Sequence, residues 1–457
     1  MLQSVSRAVY RLPPELVSHI ARFVPDEEDV DALSIIPPTH VCRFWRDSII
    51  STPELWALIY SERVKLANLS LERAKAVPLS IHLSLDGLKA NRGTLDIFLP
   101  HVIKTVSFTC INFSMAEELT RLLNFPKSMP NLRSLSLTRH PSHSQPIDSF
   151  DFSTHTTLRE LSLYNFPLVP SILSLRTLTK FTLFDREIQL HVDVLLSFLE
   201  KNRSLKSASL TIRFIEPSLC RSHRQTPVGS GLEHLSISSD DVTNIRALIS
   251  NITIRRGGSL DIFQSGNSAK FTGILSGVST DHLPNLSSPI FMKYEPFPRK
   301  IRLVGPNGTF SYVGPVTIEG PFREFPLFQL ANIRELRLEC RGSWVLKKFR
   351  LSTFPSLEVL AVDGSSKVSL LSTVLPDPAT PPSLKTLALL DCVITEDFMA
   401  QLTQIVLDRE NTSISLHRVI LINSEGEFPS AASVERLRGC VPVVEVIEGK
   451  VFPQDLS

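Results

Sequence analysis

The chain has 457 residues, of which 42% are hydrophobic and 21% charged, and its 48 basic and 46 acidic side chains leave a net charge of +2. That length exceeds one ordinary core and calls for several domains or a repeat array. The composition is that of a soluble globular protein, and the charge balance excludes a dominant nucleic-acid footprint. Nowhere do eighteen apolar residues run together, and the opening MLQSVSRAVYRLPPEL lacks the apolar core of a signal peptide. Six cysteines, at 42, 110, 220, 340, 392 and 440, include no CxxC pair. The expectation is a reduced compartment, cytoplasmic or nuclear, with no membrane partner, no metal site and no cofactor.

Residues 12–56 carry the densest local signals. Pro13 and Pro14 stand where a helix begins and needs no amide donor, and Leu16, Ile20, Phe23 and Val24 follow on one helical stripe. Pro37 and Pro38 mark a break, Thr39 is placed to cap the next helix, and Val41, Cys42, Trp45 and Ile49 form a second stripe. Thr52 and Pro53 repeat the cap-then-proline signal ahead of Leu55, Trp56 and Ile59. Helices this short need packing partners. Two tryptophans among so many branched aliphatics are more than such a bundle hides, so part of this surface is a candidate docking site.

The opening Leu12-Pro13-Pro14-Glu15-Leu16, the centre Val41-Cys42-Arg43-Phe44-Trp45-Arg46 and the close Ser51-Thr52-Pro53-Glu54-Leu55-Trp56 resemble an F-box of the basidiomycete-type fungal F-box family. The resemblance implies that residues 8–60 dock on a Skp-type adaptor, and through it on a cullin, within an SCF ubiquitin ligase. The matching residues are Leu12, Pro13, Leu16, Ile20, Val41, Cys42, Trp45, Leu55 and Trp56. The residues alone leave a second reading open, that they are the core of a helical cap on a larger domain.

Past Trp56, Val64, Ala67, Leu71 and Ala74 predict a helix ended by Pro78, and Leu79, Ile81, Leu83 and Leu85 alternate as a strand does. Residues 61–95 are thus a linker helix and first strand, with the repeat domain over 96–457. The unit L-x-x-L-x-L recurs with first positions at Leu132, Leu158, Leu178, Leu205, Leu232, Ile333, Leu357 and Leu384. Direct steps of 26, 20, 27, 27, 24 and 27 residues are those of leucine-rich repeats. Only the last unit continues to Cys392 and Ile394, so no regular asparagine ladder is present. Helices are predicted after Ser114, whose capping box pairs it with Glu117, over His191 to Glu200 and over Asp397 to Leu407. Degenerate repeats are the reading for 245–330, and the proline-rich stretch 376–382 is a surface spacer. A final strand, Val441 to Val446, closes the array.

The predicted fold class is therefore α/β, a small N-terminal helical F-box followed by an irregular leucine-rich-repeat solenoid with a curved parallel sheet. No phosphate loop, H-E-x-x-H or G-x-S-x-G motif occurs, and His140 and His143 form only a lone pair on a proline-containing loop. Cys42 lies in an apolar stripe that disfavours a thiolate. The expected function is non-catalytic. It is that of a substrate-receptor subunit whose repeat domain holds a protein target of unknown identity. The alternative is a leucine-rich-repeat binding protein acting outside a ligase.

Overall fold

The computed structural model describes residues 12–23, 36–84, 97–113, 129–139, 152–166, 171–190, 192–214, 228–240, 242–264, 283–284, 287–295, 300–313, 330–339, 351–363, 381–410, 415–423 and 429–448. The chain divides into two compact units, residues 1–190 with 197–205, and residues 191–196 with 206–457.

In the first unit, helices α1 (Pro14–Arg22), α2 (Ile36–Thr39) and α3 (Arg43–Ile50) lead through a 3₁₀ turn, Pro53–Trp56, into strand β1 (Leu58–Tyr60). Helix α4 (Val64–Ala74) then returns the chain to β2 (Leu79–Ser84), followed by β3 (Thr105–Phe113), β4 (Ser134–Arg139), β5 (Glu160–Tyr164) and β6 (Lys180–Leu190). Each strand pairs in parallel with the next, from β1 through β6.

The sheet therefore starts inside the segment assigned from sequence to the helical box, and β2, expected as the first strand, is the second. The physical reason lies at Ala57 and Ser61. Ser80 donates its amide to the Ala57 carbonyl, and Ser61 bridges to Ser84, accepting from its amide at 2.9 Å, so three residues past the turn suffice for a strand.

In the second unit β7 (Ser207–Phe214), β8 (Val228–Ser239) and β9 (Ile252–Gln264) continue the parallel pattern. So do β13 (Glu335–Glu339), β14 (Val359–Asp363), β15 (Thr386–Cys392), β16 (Arg418–Asn423) and β17 (Val443–Glu448). Among the described residues past β6, the α-helices are α5 (Val192–Lys201), which crosses the division between the units, α6 (Val242–Ile249), α7 (Glu396–Glu410) and α8 (Ala431–Arg438). All eight L-x-x-L-x-L triplets are buried, none of their residues being more than 2% exposed. The second and third positions lie on one face of each strand, and the first fills the turn entering it.

The reading of 245–330 as degenerate repeats needs correction. Strand β9 extends the array, but β10 (Phe291–Glu295), β11 (Lys300–Gly305) and β12 (Gly308–Val313) form an antiparallel meander, in the spatial order β9, β12, β11, β10, β13. Of these five strands only β11 runs against its neighbours. The turn between β11 and β12 explains the reversal: Pro306 presets the first corner, and Gly308 takes φ +124, which L side chains rarely adopt. A Cβ on Gly305 would lie 2.4 Å from the Ser288 carbonyl oxygen, so the paired glycine is required there too.

A second regularity stands in for the missing asparagine ladder. The residue just before the first leucine of several repeats is Ser or Thr, and its hydroxyl donates to the first-leucine carbonyl of the preceding repeat. Thr157 reaches Leu132 at 2.9 Å, Thr177 reaches Leu158 at 2.7 Å, Ser204 reaches Leu178 at 2.9 Å and Ser383 reaches Leu357 at 2.9 Å. These carbonyls lie just outside the strands, where an unmet acceptor is costly.

The last strands differ from the first. β4 and β5 alternate buried and half-buried positions, whereas Ala361, Ala388, Leu390, Ile420 and Ile422, on the face away from the leucines, are also buried. Their segments VLAVD, LALLDC and VILIN are nearly continuous in apolar residues, and these side chains pack on one another and on Ile447 within that face.

Candidate functional site

The nine residues matching the box motif fall into two groups. Helix α1 turns Val17, Ser18 and Ala21 inward, and Ser18 ties it to the rest through Thr52, whose hydroxyl oxygen lies 2.7 Å away. Thr52 in turn donates to the Ser48 carbonyl at 2.8 Å. The opposite face of α1 is apolar and open: Leu16 is 47% exposed, Ile20 39% and Phe23 73%. Val41, ahead of α3, is 57% exposed. Pro13 is exposed, and Leu12, Cys42 and Trp45 are half-buried. The Trp45 indole N–H has no hydrogen-bond partner among the described residues.

Leu55 and Trp56 form the second group. Both are buried, with Trp56 donating from Nε1 to the Ile49 carbonyl at 2.9 Å and carrying the Arg73 guanidinium over its ring at 4.2 Å. These two residues hold the helices to each other and to α4. Two further sequence expectations change here. Pro37 and Pro38 lie inside α2, where first-turn positions need no amide, and the cap of α3 is Cys42 rather than Thr39. The Thr39 hydroxyl instead donates to Ile36 at 2.6 Å. Beyond Trp56 the chain is a strand, not a further helical turn.

The open side of the sheet is the second candidate surface. In the first unit, Thr109, Ser136, Ser162 and Thr182 stand in register on β3 to β6, and no hydrogen bond engages their side chains among the described residues. Tyr164 and Phe184 lie in the next row with ring centroids 6.0 Å apart. At the start of the row Tyr60 stacks on His82 at 4.9 Å, and burial pulls the His82 pKa below its ordinary value, favouring the neutral ring.

In the second unit the open side is ionic. Lys293 and Glu295 pair at 2.5 Å, Arg337 and Asp363 at 2.9 Å, and Arg418 meets Glu445 at 2.9 Å. His234 Nδ1 lies 2.5 Å from Ser259 Oγ and 3.7 Å from Asp261. Both contacts fall on the same ring nitrogen, so the trio does not match a relay in which carboxylate and hydroxyl occupy opposite nitrogens. Among the described residues no group of three His, Cys, Asp or Glu is arranged to hold a metal ion, and no helix is long and apolar enough to cross a membrane.

Burial pushes the Cys392 thiol up to about 12 and raises that of Cys110 further, as expected of packed rather than reactive cysteines. Cys392 fills the repeat position predicted for it and donates to the Ile422 carbonyl at 3.5 Å. The capping box at Ser114, the His140 and His143 pair and most of the proline-rich stretch lie outside the described residues. Sequence reasoning missed the role of Val17 and Ala21, whose small side chains give a weaker signal than the leucine, isoleucine and phenylalanine on the opposite face.

No family model matches the chain, and no curated protein matches it. Among solved structures, a leucine-rich-repeat protein of Leptospira interrogans aligns with 83% of this chain and 91% of its own, at 16% identity and a TM-score of 0.33.

Proposed function

We propose that this chain is the substrate-receptor subunit of an SCF-type ubiquitin ligase, with the N-terminal helices docking on a Skp-type adaptor and the repeat array holding a protein target. The observation that carries the proposal is the apolar stripe Leu16, Ile20 and Phe23, which faces away from its own bundle. Three large apolar side chains turned to water on one short helix, with Val41 exposed nearby in the chain, are a poor choice for a freestanding cap and a good one for a partner surface. The order of motif residues through Trp56 supports the same reading. In it the protein supplies no catalytic residue, and its contribution is to hold a target near the transferring enzyme.

The test is a titration of the full chain against a Skp-type adaptor, with Leu16→Asp/Ile20→Asp as the variant. Binding by the wild type that the folded variant loses sustains the proposal, and a folded wild type that does not bind refutes it.

One observation favours a second reading. Leu55 and Trp56 are interior, and β1 joins the helices directly to the sheet, as a purely structural cap would require. A leucine-rich-repeat binding protein outside any ligase would then remain. The same titration separates the two.

A further inference from the structure

The antiparallel meander brings three cations into one row on the open side of the second unit. Lys293 on β10 is directly opposite Arg302 on β11 and directly beside Arg337 on β13. The intervening Met292, Tyr294, Leu303, Leu336 and Leu338 are buried on the other face, so the three side chains project to the same side. Like charges directly opposite one another destabilise a sheet. Two of the three are relieved locally, Lys293 by Glu295 and Arg337 by Asp363. Arg302 is exposed and has no ion pair or hydrogen bond among the described residues.

Two acids lie on one side of this row. Glu335 and Glu339 are on β13 with Arg337, and burial raises the Glu335 pKa despite that guanidinium. On the other side, β12 presents Thr309, Ser311 and Val313, none of them charged, with Ser311 directly opposite Arg302. The Ser311 side chain makes no hydrogen bond among the described residues. Lys300 adds a further cation two residues along β11, so β10 to β12 present three cations against the single carboxylate of Glu295 on this face. Asp261, on β9 beyond Ser311, lies 3.7 Å from His234 Nδ1.

We infer that this place receives an anionic side chain of the protein target, a carboxylate or a phosphoryl group, with Arg302 as its main partner, Ser311 donating a hydroxyl hydrogen bond, and Lys293 and Lys300 supplying charge. The guanidinium fork suits either oxyanion, and an incoming anion would relieve the repulsion along the row. The inference deepens the proposed function by giving the chemistry of the target segment, and it rests on the reading that the open face of the array is where the target binds.

The experiment titrates the full chain, at low and at high salt, with three short peptides: hexaglutamate, hexaglutamine, and a neutral peptide carrying one phosphoserine. The expected result is salt-sensitive binding of at least one anionic peptide, none of hexaglutamine, and a loss of at least about tenfold in affinity in Arg302→Ala. Lys180→Ala, a cation on the open face of the first unit, should bind as the wild type does. The tighter of the two anionic peptides identifies the source of the charge. Equal binding of hexaglutamine and both anionic peptides, or an affinity unchanged in a folded Arg302→Ala, overturns the inference. Adaptor binding measured on the same preparation separates this outcome from failure of the functional proposal, since the two surfaces share no residue.

Discussion

Replacing Trp56 by alanine and Leu16 by alanine should have opposite consequences, although both residues match the same motif. Trp56 is only 3% exposed, spends its indole N–H on the Ile49 carbonyl and lies beneath Arg73. Truncating it removes a large buried side chain, takes the shorter of two hydrogen bonds from the Ile49 carbonyl, which keeps the Thr52 amide at 3.2 Å, and unseats the guanidinium. The expected cost is at the upper end of about 3–5 kcal/mol. Leu16 is 47% exposed, so it has already forgone about half of the 1.5–3 kcal/mol that full burial of such a side chain contributes, and Leu16→Ala should cost about 1 kcal/mol or less. Urea unfolding of the full chain, followed by far-ultraviolet circular dichroism and by hydrogen exchange across residues 36–84, measures both. Adaptor affinity should follow the reverse order once folding is controlled. The reasoning fails if Leu16→Ala destabilises as much as Trp56→Ala, or if Trp56→Ala costs under about 1 kcal/mol.

Thr177→Val keeps the shape but removes the donor to the Leu158 carbonyl, and should cost about 1–2 kcal/mol, with faster amide exchange in β5 and β6. Gly305→Ala should destabilise the β11–β12 hairpin, because the added Cβ meets the Ser288 carbonyl, whereas Ala substitution at exposed Pro306 should be milder; hydrogen exchange over residues 300–313 distinguishes them. Thiol labelling near neutral pH should modify Cys110 and Cys392 only after unfolding, and rapid labelling of either in the native chain would contradict their burial. Glu396 accepts from the Ser430 amide and the Ser433 hydroxyl, and these bonds lower its pKa. Its contribution is therefore present above the ordinary carboxylate value and lost as pH falls through the depressed one, so Glu396→Gln should flatten the acid-side loosening of α8 seen by hydrogen exchange.

Much of this fold was legible because L-x-x-L-x-L triplets announce themselves by spacing. Each triplet from Leu132 to Leu389 is where its period places it, since the stacking of strands leaves the leucines only one face to occupy. The meander was not legible in that way. A search for repeats every 20–27 residues cannot register a two-residue turn such as Pro306-Asn307, though the glycines on either side and the alternation of Thr309 to Val313 were local signs of a hairpin. At the candidate site the limitation was directional. Periodicity showed that Leu16, Ile20 and Phe23 share a stripe, but which stripe meets the core depended on Thr52 gripping Ser18 from thirty-four residues away. The interior partners of Trp56, the Ile49 carbonyl and Arg73, belong to two other helices, which the periodicity of its own segment does not register. The hydroxyl ladder at Thr157, Thr177, Ser204 and Ser383 was written in the sequence as a Ser or Thr before a leucine, a pattern too common to interpret without the carbonyls it serves.

Hydrogen exchange of the full chain, with and without a saturating Skp-type adaptor, tests the central claim most directly. The account predicts slowed exchange confined to α1 and to the segment from Val41 through α3, with the strands of the second unit unchanged. Unaltered exchange in α1 and α3, or protection appearing instead along the sheet, would contradict it.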